Sequence, residues 1–378
     1  MLQPDDLKLI KHSHPTDIFA VRACCNDDAN DLLAIGGDHS VEVLQIESLF
    51  SYRVENLVFI PFLAWSSRTI SPAAGEDWVL ELTAAGVSHG LYLLTKSSTA
   101  EETVYPFGGG LHGHHGKITD MVFCGGHGED SSRYVATVSD DKFLMVWDLY
   151  PPPDAGSRAS ASEDSVSPSA RPSPTAYVVP FPHALTSVAS HPSTSKEFLV
   201  SDVRGSIFLS DWRSDPEEKE EDSWRHSSLV EMVEPYAVAG ASTGVRNYWS
   251  ASVSWRRDNI DIVGAAYGSK FSIWDISSLQ GGKPRMVGNT FADGIQRFRW
   301  CPTYPDYFAI SSQSPAKGAL LHVHNINYVH AQPNVLILAP RPHFIRDFDF
   351  LALPGIPRIA AAIGKVITIV SIGVDSET

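Results

Sequence analysis

The chain has 378 residues, with 44 acidic and 29 basic side chains and a net charge of −15. That length buries a core without disulfide or metal staples. The acidic balance repels phosphate backbones and anionic lipid, and no basic stripe interleaved with aromatics offsets it, so direct binding to nucleic acid or membrane is disfavoured. Four cysteines, Cys24, Cys25, Cys124 and Cys301, show no metal-ligand spacing, as expected for a reducing compartment. The opening "MLQPDDLKLIKHSHP" lacks a basic and then apolar leader pattern, and no apolar run approaches the ~18 residues of a membrane span. A soluble protein is expected.

Taken in chain order, short β-type runs dominate. "LLAIGG" (32–37) precedes "SVEVLQI" (40–46), and "DWVLELTAA" (77–85) precedes "GLYLLT" (90–95). "RYVATVS" (133–139) precedes "FLMVWDL" (143–149), and "EFLVSD" (197–202) precedes "SIFLSDW" (206–212). "DIVGAAY" (261–267) precedes "KFSIWDI" (270–276), "YFAISSQ" (307–313) precedes "ALLHVHNI" (319–326), and "RIAAAIG" (358–364) precedes "VITIVSI" (366–372). Each pair reads as strand, tight polar turn, strand. The second runs end near 46, 95, 149, 212, 276, 326 and 372, a recurrence at intervals of 46 to 64 residues. One hairpin repeated at roughly that period indicates a propeller, and the absence of long 3.6-residue periodicity argues against α/β folds. The expectation is one all-β domain, a seven-bladed β-propeller over residues 1–378.

The two widest intervals have visible causes. Residues 151–176 hold 6 Pro, 7 Ser and 5 Ala, too little apolar surface to offset ordering, and read as a disordered insertion. Residues 215–228 open with "DPEEKEED" and read as a solvated acidic loop. Both fall after the third strand of a blade. "LKLI" (7–10) has two readings, an outer strand that closes the last blade or a solvated arm.

"LHGHHGKITD" (111–120) places His112, His114 and His115 among glycines. A zinc site would need matching ligands at a suitable spacing elsewhere, and the sequence offers none. The alternative is structural. Gly113-His114 precedes Trp147-Asp148 by 33 residues, with "TVSDDKFLMVWDL" (137–149) between them. This resembles a WD repeat, here of the WD40 propeller type. The resemblance implies a hydrogen-bond tetrad of His114, Ser139, Asp141 and Trp147 in which a hydroxyl links indole to imidazole and an acid holds the far side of the ring. The other repeats are degenerate. Trp274-Asp275 keeps the pair but has Gly268 at the turn; Asp38 keeps the turn acid but has Leu44 at the tryptophan position; Arg204 and Ser210 fill those places in the fourth hairpin.

An enzymatic reading competes. "GASTG" (240–244) fits the nucleophile elbow of serine hydrolases, with Ser242 as nucleophile, "FGGGLHG" (107–113) as oxyanion loop, and Asp306 with His330 or His343 completing the order. The elbow needs a following helix, whereas "VRNYWSASVSWRRD" alternates as a strand does, so a loop between blades explains the motif better. Tyr248 and Trp249 in that stretch read either as an aromatic partner-binding anchor or as filling between blades.

The ordered series "LHGHHGKITDMVF", "TVSDDKFLMVWDL", "ALTSVASHPSTSKEFLVSDVRGSIFLSDW" (184–212), "SVSWRRDNIDIVGAAYGSKFSIWDI" (252–276) and "FRWCPTYPDYFAISSQ" (298–313) is similar to the small WD-repeat nucleoporins, the thirty-seven-kilodalton class, of the Y-shaped outer-ring scaffold complex of the nuclear pore. The similarity covers residues 110–315 best. It implies a non-catalytic seven-bladed scaffold without cofactors at the nuclear envelope. This scaffold would dock on the large propeller-plus-helical arm subunit, with an ELYS-type nucleoporin as a second contact, in nucleocytoplasmic transport of protein and mRNA. The single Phe-Gly dipeptide, Phe107-Gly108, sets the chain apart from transport-barrier nucleoporins. A WD adaptor of a ubiquitin-ligase or chromatin complex shares the same fold and stays open as an alternative.

Overall fold

The computed structural model describes residues 2, 7–86, 89–109, 113–150, 175–213, 229–232, 251–279 and 281–373. They form seven four-stranded antiparallel sheets, covering 18–55, 62–108, 118–180, 185–232, 251–289, 295–339 and 347–371, the last completed by Leu9–Ser13. The first strand of each sheet packs against the first strand of the next, and the seventh returns to the first, so the blades close a ring around a central channel. The fold is a seven-bladed β-propeller. Among the described residues no helix is long and apolar enough to cross a membrane.

Strand burial follows from position in the blade. Second strands such as Leu32–Gly37, Tyr134–Ser139 and Ile262–Tyr267 are buried along their whole length, because both faces meet a neighbouring blade. Their sequences are accordingly near-continuous apolar runs rather than alternating ones. Small residues set the blade spacing: a Cβ at Gly36 would collide with the Ile60 carbonyl. Outer strands such as Thr175–Pro180 face water and alternate loosely.

All seven expected hairpins are present as the second and third strands of their blades. Leu9–Ser13 pairs antiparallel with Val366–Ser371, so of the two readings of the N-terminal segment the ring-closing strand holds, displaced slightly toward the C-terminus of "LKLI". This pairing across the chain ends covers the outer edge of Val366–Ser371, which would otherwise be unpaired. Leu2 adds a parallel bridge to the outer strand Asn334–Ala339: its N–H donates to the Val335 carbonyl at 3.0 Å and its carbonyl accepts from Ile337 at 3.1 Å.

The boundary of the Ser/Pro-rich insertion needs correction. Thr175 and Ala176 belong to strand Thr175–Pro180, where they pair with Asp148 and Trp147; residues 151–174 lie outside the described residues, as do 214–228. Both interruptions sit between the third and fourth strands of blades 3 and 4. In an antiparallel meander, those connections and the first-to-second connections share one face, here the insertion face. Blade-to-blade loops and second-to-third turns share the other, the entry face.

Candidate functional site

The histidine loop lies on the entry face and works inward. His114 is buried, and its Nδ1 lies 3.0 Å from Asp141 Oδ2, across from the blade-3 turn. Its Nε2 is 2.8 Å from the Thr137 hydroxyl, which also accepts a hydrogen bond from Trp147 Nε1 at 2.9 Å. Asp141 further accepts the backbone N–H groups of His115 and Phe143. The linking hydroxyl is therefore Thr137 and not Ser139. Trp147 pairs with Val135, so Thr137 is its same-face diagonal neighbour, while Ser139 lies a further two residues along the strand. The Ser139 hydroxyl instead accepts the Asp141 N–H at 3.2 Å and shapes the turn.

Burial pushes the His114 pKa down despite the opposing pull of Asp141, so the ring is neutral near pH 7. Burial would raise Asp141, but His114 and the two backbone donors hold its carboxyl below the usual range. One proton arrangement satisfies every group: indole N–H to Thr137 oxygen, Thr137 O–H to Nε2, Nδ1–H to carboxylate. Trp147 also fills the seam to blade 2, edge-on to Phe107 at 5.9 Å and against Gly108, where a Cβ would sit 3.1 Å from the indole. The single Phe-Gly dipeptide is thus blade packing.

Among the described residues no three His, Cys, Asp or Glu side chains converge. His115 is exposed, and His112 lies outside the described residues. Of the residues in the hydrolase reading, the described Asp306 and His343 lie on opposite faces of the ring. Asp306 sits on the insertion face, accepting from Arg256 at 3.1 Å and Asn327 at 3.0 Å. His343 sits in a blade-to-blade loop on the entry face, with Nδ1 3.0 Å from the Pro340 carbonyl. His330 is an exposed loop residue of blade 6. Ser242, Tyr248 and Trp249 lie outside the described residues.

A second polar constellation, in the channel, was missed by sequence reasoning. Arg22 (blade 1), Asp120 (blade 3), Arg297 (blade 6) and Asp347 (blade 7) converge from four inner strands. Arg22 Nη1 donates to Asp347 Oδ2, and its Nη2 lies 3.7 Å from Asp120. Arg297 lies 3.4 Å from Asp347 and 3.9 Å from Asp120. The aspartates also tie neighbouring strands together. Asp120 Oδ2 accepts the Ser187 hydroxyl at 2.8 Å and the Val188 N–H at 3.2 Å; Asp347 Oδ2 accepts the Val21 N–H at 3.0 Å. Ser252 continues the pattern by accepting from Phe298 N–H at 3.1 Å. Burial would raise Asp120, but Arg297 and Arg22 keep it below the usual carboxylate range. Burial would lower Arg22, but Asp347 and Asp120 raise it.

The signal was present in the sequence. "ITDMV", "LTSVA", "IQRFR" and "IRDFD" each put a polar residue two places after the first apolar one. In three of these blades, and in blade 1, the first strand carries a register shift there, at Ile118/Asp120, Leu185/Ser187, Ile295/Arg297 and Ile18/Ala20. Such a bulge re-aims a side chain, here along the ring of inner strands. A reading confined to the hairpins passes over these strands.

Below the charge cluster the channel widens into a cavity of about 580 Å³ open toward the insertion face. Its rim is formed by first-to-second loops that hydrogen-bond around the ring, as Asn26 does to the Ser66 and Thr69 carbonyls and Gly126 N–H to Pro192. Neither protein-family models nor curated proteins match this sequence. A closed seven-bladed propeller of this kind, typically non-catalytic, fits a scaffold or adaptor role.

Proposed function

We propose that the chain is a scaffold nucleoporin of the Y-shaped outer-ring complex, docking on the large propeller-plus-helical arm subunit and contacting an ELYS-type nucleoporin. It has no catalytic role, needs no cofactor, and supports nucleocytoplasmic transport from the nuclear envelope. The observation that carries this reading is the ordered motif series on blades 3 to 6, embedded in a ring whose polar networks are spent on joining blades. The acidic charge fits protein partners better than nucleic acid or lipid.

The two interruptions, which both leave from the insertion face, support a main partner that avoids that face. A Ser/Pro-rich segment there would cost conformational entropy to order or displace. Deleting residues 153–172, short of the outer strand of blade 3, is expected to leave partner affinity unchanged; a large loss would put the partner on the insertion face. A fluorescently tagged full chain is expected at the nuclear rim in a punctate pattern. A diffuse nuclear or cytoplasmic signal would favour the adaptor reading, which shares the fold.

A further inference from the structure

The cavity on the insertion face is lined by two arginines, Arg299 and Arg257, that form no close ion pair among the described residues, although Asp349 acts on Arg299 from the wall. Arg299 lies on the inner strand of blade 6, one alternation below the charge cluster. Among the described residues its only hydrogen bond is from Nη1 to the carbonyl of its neighbour Phe298, and no carboxylate of theirs lies within ion-pair distance. Arg257, on the first-to-second loop of blade 5, is exposed at the rim and makes neither hydrogen bond nor ion pair among the described residues. By contrast Arg22 and Arg297, a layer deeper, lie at ion-pair distance from both Asp120 and Asp347.

Burial and the neighbouring Arg22 push Arg299 down to about 10 against the opposing pull of Asp347 and Asp349, so it stays protonated at neutral pH. Arg257 and Arg299, from the adjacent blades 5 and 6, line the same cavity together with Cys25 of blade 1. The cavity volume is that of a small-molecule site. Trp65 and Trp255 line it with their indole N–H groups already donated to the Arg22 and Ile260 carbonyls, leaving their rings as apolar wall. Two opposing features limit the charge it can hold. Asp27 and Asp28 are exposed at the rim, and Asp349 lies on the wall beside Arg299.

We propose that this cavity binds a small ligand carrying one phosphoryl group, with Arg299 and Arg257 as its guanidinium partners and the tryptophan wall receiving an apolar ester group. Guanidinium forks match phosphate oxygens bidentately, and both side chains have donors to spare. Polyphosphates are disfavoured by the three carboxylates. The site is separate from the entry face and does not depend on the scaffold reading.

The test is calorimetric titration of the full chain with inorganic phosphate and with phenyl phosphate, at constant ionic strength set by sodium chloride. A chain of charge −15 repels anions in general, so saturable uptake reports a local site. One-to-one binding is expected, tighter for phenyl phosphate than for phosphate. Arg257→Gln is exposed and is expected to leave the ligand-free melting temperature unchanged while weakening phenyl phosphate by about tenfold. Arg299→Gln is expected to abolish binding; where that variant does not fold, Arg257→Gln decides. No saturable heat at matched ionic strength, or binding undiminished in Arg257→Gln, overturns the proposal.

Discussion

Blades 3 and 6 fill the same positions with different chemistry. In blade 3 the seam is polar, with His114, Thr137 and Trp147 joined by hydrogen bonds and anchored on Asp141. In blade 6 the same register places Phe291 where His114 stands, Ile310 for Thr137 and His324 for Trp147. There the contacts are stacked rings: Phe291 on His322 at 3.8 Å, and His324 nearly parallel to Phe308 at 4.9 Å. Both blades keep the same four strands and the same place in the ring. The hairpin geometry and apolar second strands define the fold, while the tetrad is one of several ways to fill a seam.

That contrast explains what was legible in the sequence. The seven hairpins were readable because their second strands are apolar runs ended by polar turns, a pattern that survives loss of the tetrad. Blade 3 announced itself because all four partners are present. Its linking hydroxyl was misassigned to Ser139 because spacing along a chain does not say which cross-strand neighbour an indole reaches. Blade 1 shows the opposite failure. Asp38 has the expected turn position but is half-exposed beside His39, while buried His14 lies 3.6 Å from Glu42 instead. The channel charges were missed for a different reason: their partners lie on blades up to 325 residues apart, as Arg22 and Asp347 do.

The sharpest way to separate the shared frame from the local fillings is to cut the channel cluster. Asp120→Ala leaves Arg22 and Arg297 with Asp347 as their one shared carboxylate and the Ser187 hydroxyl and Val188 N–H without that acceptor. A loss of about 3–5 kcal/mol is expected in denaturant melts, the largest of any single change considered. A loss below that of the tetrad would mean that the ring does not depend on the channel. His114→Ala is next, at about 1–3 kcal/mol, since Thr137 and Asp141 lose a buried partner. Thr137→Val is expected to cost about as much as His114→Ala, with Ser139→Ala costing less; the reverse order would restore Ser139 as the link.

Acid sharpens the comparison further. His322 and His324 of blade 6 are pushed down to about 4, chiefly by burial, and His114 is also lowered. These rings are neutral when folded and protonate more readily when unfolded. Their contribution is therefore fully present above the ordinary histidine value of about 6.5 and is lost as pH falls from there toward 4. The melting temperature is expected to drop by several degrees between pH 7.5 and 5. His324→Phe should flatten that drop whatever it does to the value at pH 7.5. An unchanged slope would mean that blade 6 is not where protonation acts. The smallest effect is expected from deleting 153–172, which should leave both stability and partner affinity where they were.

Affinity isolation of the tagged full chain from its own cells at moderate salt, followed by mass spectrometry, tests the scaffold reading most directly. Co-recovery of the Y-complex nucleoporins, with the large arm subunit foremost, is the expected result. Recovery of ubiquitin-ligase or chromatin subunits in their place, or of the chain alone, would contradict it.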